Sequence, residues 1–331
     1  MSRVAMFSML AAVAIGWPGV ASAAKPADDA AVSLAVVGDI MLAERPGKEI
    51  GAGRDPFAPF AAILGSADVK IGNLECVVAT GGAAEPGKIF TFRAKPRSLE
   101  VLKRHFDAVT LANNHSGDFG PQAFGEMLGL LARYKIPYFG GGANLVQAHE
   151  PLIVERNGLR IAFLGFNEFA PRSFEADYDK PGVAWSEDAQ VLKDIANARS
   201  RYQADLVIPV MHWGWEFERQ GNPRQRQLAR MMIDAGADAV IGGHPHVTQD
   251  IEFYAGKPVF YSLGNFVFDG FSASEANTGW LLRLELDRQG VRRWQTVVAH
   301  IDRVGTPHPG RRSEGMCWER GMAAEQPCTE N

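Results

Sequence analysis

The sequence predicts an α/β layered fold, and three features point to it. From about residue 32, short β-branched runs alternate with helical patterns, an order that belongs to sheets covered by helices. Two hairpin signals, Asn157-Gly158 and the turn Asp287-Arg288-Gln289-Gly290, mix antiparallel pairing into those sheets. Strand after strand ends in a polar cluster, so one edge of the layers gathers the chemistry.

The N-terminus stands apart from this pattern. Residues 1–23 carry Arg3, an apolar stretch from Val4 to Trp17 and the small-residue ending Ala21-Ser22-Ala23, which read as a cleavable secretory signal. The expected product begins near Ala24 and is periplasmic or secreted, with 24–31 a flexible segment. No later stretch reaches the roughly 18 to 20 continuous apolar residues of a spanning helix.

Elements then follow in order. A strand over 32–38 opens the domain, a helix over 57–65 leads to a strand over 69–74, and a helix over 98–105 leads to a strand over 107–112. The next helix, 121–134, starts well: Pro121 fits the first helical position, and Phe124, Met127, Leu128 and Leu131 fall on one face. Strands are expected at 136–139, and at 151–155 and 159–165 around Asn157-Gly158. A helix over 187–203 precedes a strand over 205–211, and a helix over 223–236 precedes strands over 238–242, 248–254 and 258–263. Strands over 280–287 and 291–301 close the fold. Segments 43–56, 77–93, 166–186 and 268–279 read as long polar, Gly-rich or Pro-rich loops, lengths that point to function or disorder. A single domain spans 32–304, without an internal repeat, and 305–331 reads as a C-terminal tail.

The formal net charge of −4, from 34 basic and 38 acidic residues, speaks against a nucleic-acid surface. Of three cysteines, Cys317 and Cys328 are close enough in sequence to bond in an oxidising compartment, whereas Cys76 reads as an unpaired thiol beside a strand end.

The polar clusters at strand ends are Gly38-Asp39, Asn73-Leu74-Glu75, Asn113-Asn114-His115, His212-Trp213-Gly214-Trp215-Glu216, Gly242-Gly243-His244-Pro245-His246 and Gly264-Asn265. Taken singly, Asp39 reads as a turn residue, Asn113 and Asn114 as loop amides, His212 as a satisfied core histidine and Glu216 as a solvated charge. Six such clusters at equivalent strand ends are not explained by packing. A carboxylate, an amide oxygen and three imidazoles form a mixed nitrogen and oxygen shell for one or two borderline divalent ions, manganese, zinc or iron. Such ions acidify water and polarise a phosphoryl or carbonyl oxygen. His115 stands where an acid could protonate a leaving group. His105, His149, His300 and His308 have no cluster and read as structural or exposed, and the Trp213 and Trp215 pair reads as packing beneath the site.

These blocks resemble the CapA family, the poly-gamma-glutamate capsule biosynthesis proteins also called PgsA, which is similar to the calcineurin-like metallophosphatases. The residues that carry the resemblance are Gly38-Asp39-Ile40-Met41-Leu42, Gly72-Asn73-Leu74-Glu75, Ala112-Asn113-Asn114-His115 with Asp118 and Gly120, His212-Trp213-Gly214 with Glu216, Gly243-His244-Pro245-His246, and Tyr261-Ser262-Leu263-Gly264-Asn265-Phe266. The resemblance implies a four-layer α/β/β/α sandwich of metallophosphatase type, with mixed sheets and the site at the strand-end edge. By position it implies Asp39, Glu75, Asn114, His212, His244 and His246 as metal ligands, Glu75 in the bridging place, and His115 as the catalytic histidine. Asn73, Asn113, Asp118, Glu216 and Asn265 are then expected to touch substrate or support the ligands. Where a metallophosphatase has Asp-x-His after its first strand, this chain has Asp39-Ile40-Met41.

Two functions compete. One is an exported metal-dependent hydrolase, phosphoesterase-like, that acts on a phosphoester or on an amide of an anionic polymer in capsule or surface-polymer synthesis. The other is a non-catalytic accessory factor that binds or guides such a polymer alongside membrane-bound synthesis partners. No complete nucleotide-binding loop is present to drive polymerisation by this chain alone, since Gly82-Ala83-Ala84-Glu85-Pro86-Gly87-Lys88 is followed by Ile89 in place of Ser or Thr.

Overall fold

The computed structural model describes residues 31–170, 172–269 and 271–329, so the signal reading of 1–23 and nearly all of 24–31 lie outside the described residues. Two mixed sheets dominate. In the first, the strands run in the order Gln326–Pro327, Met316–Glu319, Gly290–Ile301, Thr278–Asp287, Val32–Ile40, Val69–Leu74, Ala108–Thr110 and Tyr138–Phe139. In the second, the order is Ile251–Tyr254, Lys257–Phe260, Val240–Gly243, Leu206–His212, Leu159–Asn167 and Leu152–Arg156. The expected Asn157-Gly158 hairpin joins the last two, with Asn157 at φ 48° and Gly158 at φ 79°.

Strand alternation builds four layers. Val32, Leu34 and Val36 point between the sheets and meet Ile161, Phe163, Ile208 and Ile241 of the second sheet. Ala35 and Val37 point the other way, onto Phe60, Leu64, Leu99, Leu102, Phe124 and Met127 of the helical side. On the far side Ala162, Leu164 and Val207 pack under Val191 and Ile195 of helix Asp188–Ser200 and Leu228 and Met232 of helix Pro223–Asp234. The result is helix, sheet, sheet, helix.

The structure departs from the sequence expectations at several places. Segment 43–56 contains helix Glu44–Gly51 in place of a loop: Pro46 lies in the first turn, where a missing N–H is tolerated, and buries its ring together with Ile50 one turn on. Residues 265–267 form a short strand parallel to Val32–Ile40. The segment read as a C-terminal tail instead adds strands Pro307–Pro309, Met316–Glu319 and Gln326–Pro327 to the first sheet, with Trp318 buried against Phe253. Cys317 and Cys328 are bonded there, and Cys76 is a buried free thiol.

Strand Val32–Ile40 is irregular at its end. Its register shifts between Val36 and Asp39 against Val69–Leu74, and between Asp39 and Ile40 against Asn265–Val267. Irregularities of this kind re-aim a side chain. Gly38 permits the approach, because a Cβ there would stand 1.9 Å from the Gly264 carbonyl oxygen.

Candidate metal centre

Pairing places the donors at one level of both sheets. Asp39 lies opposite Asn73 on one side and Asn265 on the other, while His212 lies opposite Gly243, the residue before His244. Asp39, Glu75, His212, His244 and His246 are all buried. Gly243 has no room for a side chain, since its Cβ would meet Asp39 Oδ1 at 2.8 Å. His244 and His246, on either side of Pro245, sit at φ 95° and φ 58°, a region that non-glycine residues enter at a cost and that marks functional loops.

Two overlapping donor groups result. One joins Glu75, His212 and His244, the other Asp39, Glu75 and His246, and in each the ligand atoms lie within 4.8 Å of one another. Glu75 belongs to both. In the first group His212 Nε2 is 3.5 Å from Glu75 Oε1, 3.1 Å from His244 Nδ1 and 2.7 Å from Asn114 Oδ1. In the second, His246 Nδ1 is 3.7 Å from Asp39 Oδ2 and its Nε2 is 3.9 Å from Glu75 Oε1.

Amides hold these side chains in place. Asn73 Nδ2 donates to Asp39 Oδ1 over 2.8 Å and lies 3.2 Å from His212 Nδ1, and Asn113 Nδ2 donates to Asn73 Oδ1 over 2.9 Å. Asn265 Oδ1 accepts from His246 Nδ1 over 2.9 Å, which leaves Nε2 of that imidazole as its free lone pair. Both carboxylate oxygens of Glu75, together with His244 Nε2, are buried without a hydrogen-bond partner. Buried polar atoms are nearly always satisfied, so three bare acceptors in one cluster, drawn from carboxylate and imidazole, fit divalent cations.

The electrostatics agree with that fit. Burial, reinforced by the neighbouring Asp39 carboxylate, pushes the Glu75 carboxyl well above its usual range. Burial and then the adjacent imidazoles hold His212 and His244 well below the usual histidine range, so both are neutral and able to bind a cation. Burial also lowers His115, against the opposing pull of Asp118. Burial raises Cys76 to about 12, which makes it an inert thiol.

His115 stands beside the donors with its own support. Its Nδ1 is 2.7 Å from Asp118 Oδ2, and its main-chain N–H donates to Asn113 Oδ1 over 3.1 Å. Asp118 also accepts from Lys88 Nζ over 2.5 Å, a residue that sequence reasoning missed.

Phenylalanine rings wall the centre, and these too were missed. Phe169 lies 4.0 Å from His244, Phe268 4.9 Å and Phe271 5.1 Å from His246, and Phe92 4.5 Å from His115, between ring centroids. All four come from the long segments 77–93, 166–186 and 268–279, whose length was the available signal. A cavity of about 360 Å³ beside the centre is lined by Lys88, Asn114, Phe169, Phe174 and Trp185.

Several expected residues fall elsewhere. Glu216 is exposed on the loop after His212, and none of the hydrogen bonds of the cluster reaches it. Trp213 is buried and donates its Nε1–H to the Tyr261 carbonyl over 2.8 Å, but Trp215 is exposed, so only the first packs beneath the site. Met41 turns its sulfur to the Ala43 N–H at 3.2 Å. His105, His149, His300 and His308 each sit by a carboxylate away from the centre: Asp55, Asp194, Glu314 and Asp302.

A family profile described as "Bacterial capsule synthesis protein PGA_cap" matches residues 33–270. The chain is 34% identical over 302 residues to the PGA biosynthesis protein CapA of Bacillus subtilis (strain 168), covering 88% of this chain and 78% of that protein. It is 32% identical over 288 residues to the capsule biosynthesis protein CapA of Bacillus anthracis, covering 84% of this chain and 69% of that one. Among solved structures, Haemophilus influenzae NAD nucleotidase (NadN) aligns with 86% of this chain and 54% of that chain at 13% identity and a TM-score of 0.45.

Proposed function

Because the chain belongs to the bacterial capsule synthesis protein family PGA_cap, we propose that it is an exported, metal-dependent hydrolase of surface-polymer synthesis, acting on a phosphoester or on an amide of a poly-gamma-glutamate type polymer. The observation that carries this reading is the trio of buried, partnerless acceptors, Glu75 Oε1, Glu75 Oε2 and His244 Nε2, inside two donor groups that share one carboxylate.

Asp39, Glu75, Asn114, His212, His244 and His246 would hold one or two divalent ions. Bound there, the ions would polarise the scissile group and acidify water. The chain supplies the rest. Asp118 accepts from His115 Nδ1 and fixes the tautomer, so Nε2 is the nitrogen that exchanges a proton with the leaving group. Asn73 and Asn265 keep Asp39 and His246 aimed at the cluster, and the phenylalanine rings limit water around the imidazoles.

Export is part of the same proposal. It is supported by the signal pattern of residues 1–23 and by the Cys317–Cys328 disulfide, a bond that persists in oxidising compartments. Metal analysis of the purified protein, followed by hydrolysis screens with phosphomonoesters, phosphodiesters and γ-glutamyl amides, tests the reading. A protein that takes up neither manganese nor zinc would refute it. A protein that binds metal yet turns over none of these, while His246→Ala still abolishes polymer production in cells, would establish the accessory role instead.

A further inference from the structure

Asp118 is fully buried, and segment 85–92 is tied to it at three points. The Glu85 N–H donates to its carbonyl over 2.8 Å, Lys88 Nζ to Oδ1 over 2.5 Å, and the Phe92 N–H to Oδ2 over 2.6 Å. His115 Nδ1 shares that Oδ2. A buried carboxylate is costly unless charge and hydrogen bonds compensate it, and the Lys88 ammonium is the cation in contact. The same ammonium donates to the Asn114 carbonyl over 2.6 Å, so it also fixes the main chain just before His115.

We infer that Lys88 is a positioning residue for His115, acting through Asp118 and through the Asn114 carbonyl. With the ammonium removed, Oδ1 of Asp118 is left bare, and the Phe92 N–H alone is left to hold Oδ2 beside the imidazole. The segment that brings Lys88 in is bound to the protein more by these polar ties than by packing, since Ile89 and Phe90 are 88% and 67% exposed. Gly82 and Gly87, at φ 91° and φ 79°, shape its path. Docking of segment 85–92 and alignment of His115 are therefore one event. The consequence for turnover rests on the hydrolase reading above, whereas the orientation of His115 does not.

The test compares the full-length wild type, K88M and K88R, each loaded with manganese. Bis(p-nitrophenyl) phosphate reports turnover, and zinc-loaded samples give the imidazole nitrogen NMR spectrum, in which His115→Gln identifies the His115 signal. The expected result for K88M is a fall in kcat of about 10- to 100-fold with KM within about 3-fold, as for loss of a supporting contact behind a reacting group. Its His115 Nδ1–H signal is lost or averaged, and K88R restores both. If K88M does not fold, K88Q, which keeps a donor for the Asn114 carbonyl, takes its place. An unchanged kcat and an unchanged His115 signal overturn the inference. Absence of turnover in the wild type would count against the hydrolase reading alone, because the NMR comparison still decides whether Lys88 orients His115.

Discussion

The main-chain N–H of His244 donates to Asp39 Oδ2 across 3.2 Å, so the loop that ends a strand of one sheet is pinned to a carboxylate at the end of a strand of the other. Asp39 Oδ1 accepts from Asn73 at the same time. Asp39→Asn puts an NH2 group against one of these two donors. The expected loss of stability is about 1 to 3 kcal/mol in the metal-free protein, together with a fall in bound manganese. Thermal unfolding with and without manganese and metal analysis check this; a variant with wild-type stability and full metal content would contradict it.

Glu75→Gln has the opposite sign without metal. Both Glu75 oxygens lack donors in a buried site, so burying this carboxyl costs the folded state through the proton it must hold, and an amide removes that cost. The metal-free variant should be more stable than the wild type by about 1 kcal/mol near pH 7, by the same desolvation logic. With manganese the order reverses, because both donor groups lose their shared ligand. Denaturant titrations with chelator and with metal show the crossing or its absence.

Proton release on metal binding follows from the shifted groups. Glu75, raised from 4.5 by burial and Asp39, stays protonated above the ordinary carboxylate range and must shed its proton to a cation. His212 and His244, lowered by burial and neighbouring imidazoles, are already neutral near pH 7 and release none. Calorimetry in buffers of different ionisation enthalpy should show proton release that shrinks as pH rises, and an affinity that rises with pH. Release of about three protons would contradict the neutral state of the imidazoles. In the metal-free protein, the stabilisation from the protonated Glu75 carboxyl is complete below pH 4.5 and is lost as pH rises through its raised folded value. The two lowered histidines act the other way, costing stability as pH falls below 6.5 toward their folded values.

Reduction of Cys317–Cys328, which are 11 residues apart, should cost about 3 kcal/mol in the chain-entropy picture. The loss should be confined to the edge of the first sheet. Hydrogen exchange at Met316–Glu319 and Gln326 should rise in Cys317→Ser, while bound manganese is unchanged. Metal loss in that variant would mean that the edge and the centre are coupled.

Most of the donors were legible in the sequence because they sit at or just beyond the C-terminal end of a strand, and strands write themselves as apolar runs. Asp39, Asn73, Glu75, His212, His244 and His246 have this placement, Asn265 opens a short strand of its own, and the structure gathers them all. Glu216 shares the motif spacing but lies on a loop whose path is set after the strand has ended, and it faces solvent. Lys88, Phe92, Phe169 and Phe271 approach from long loops, where no periodicity records direction. The C-terminal strands are two to four residues long, too short for alternation to show, and are held by pairing with Gly290–Ile301, by the pairing of Gln326–Pro327 with Met316–Glu319 and by the disulfide.

The pairing of Asp39 with Asn265 sets an order of events during synthesis. The strand that begins the domain finds this neighbour only after more than two hundred further residues have been made, and long-range pairings of that kind form late. Every side chain of the two donor groups precedes residue 247, but the strand that flanks Asp39 and the amide that accepts from His246 Nδ1 are made later, so the last pieces synthesised are the ones that aim the donors.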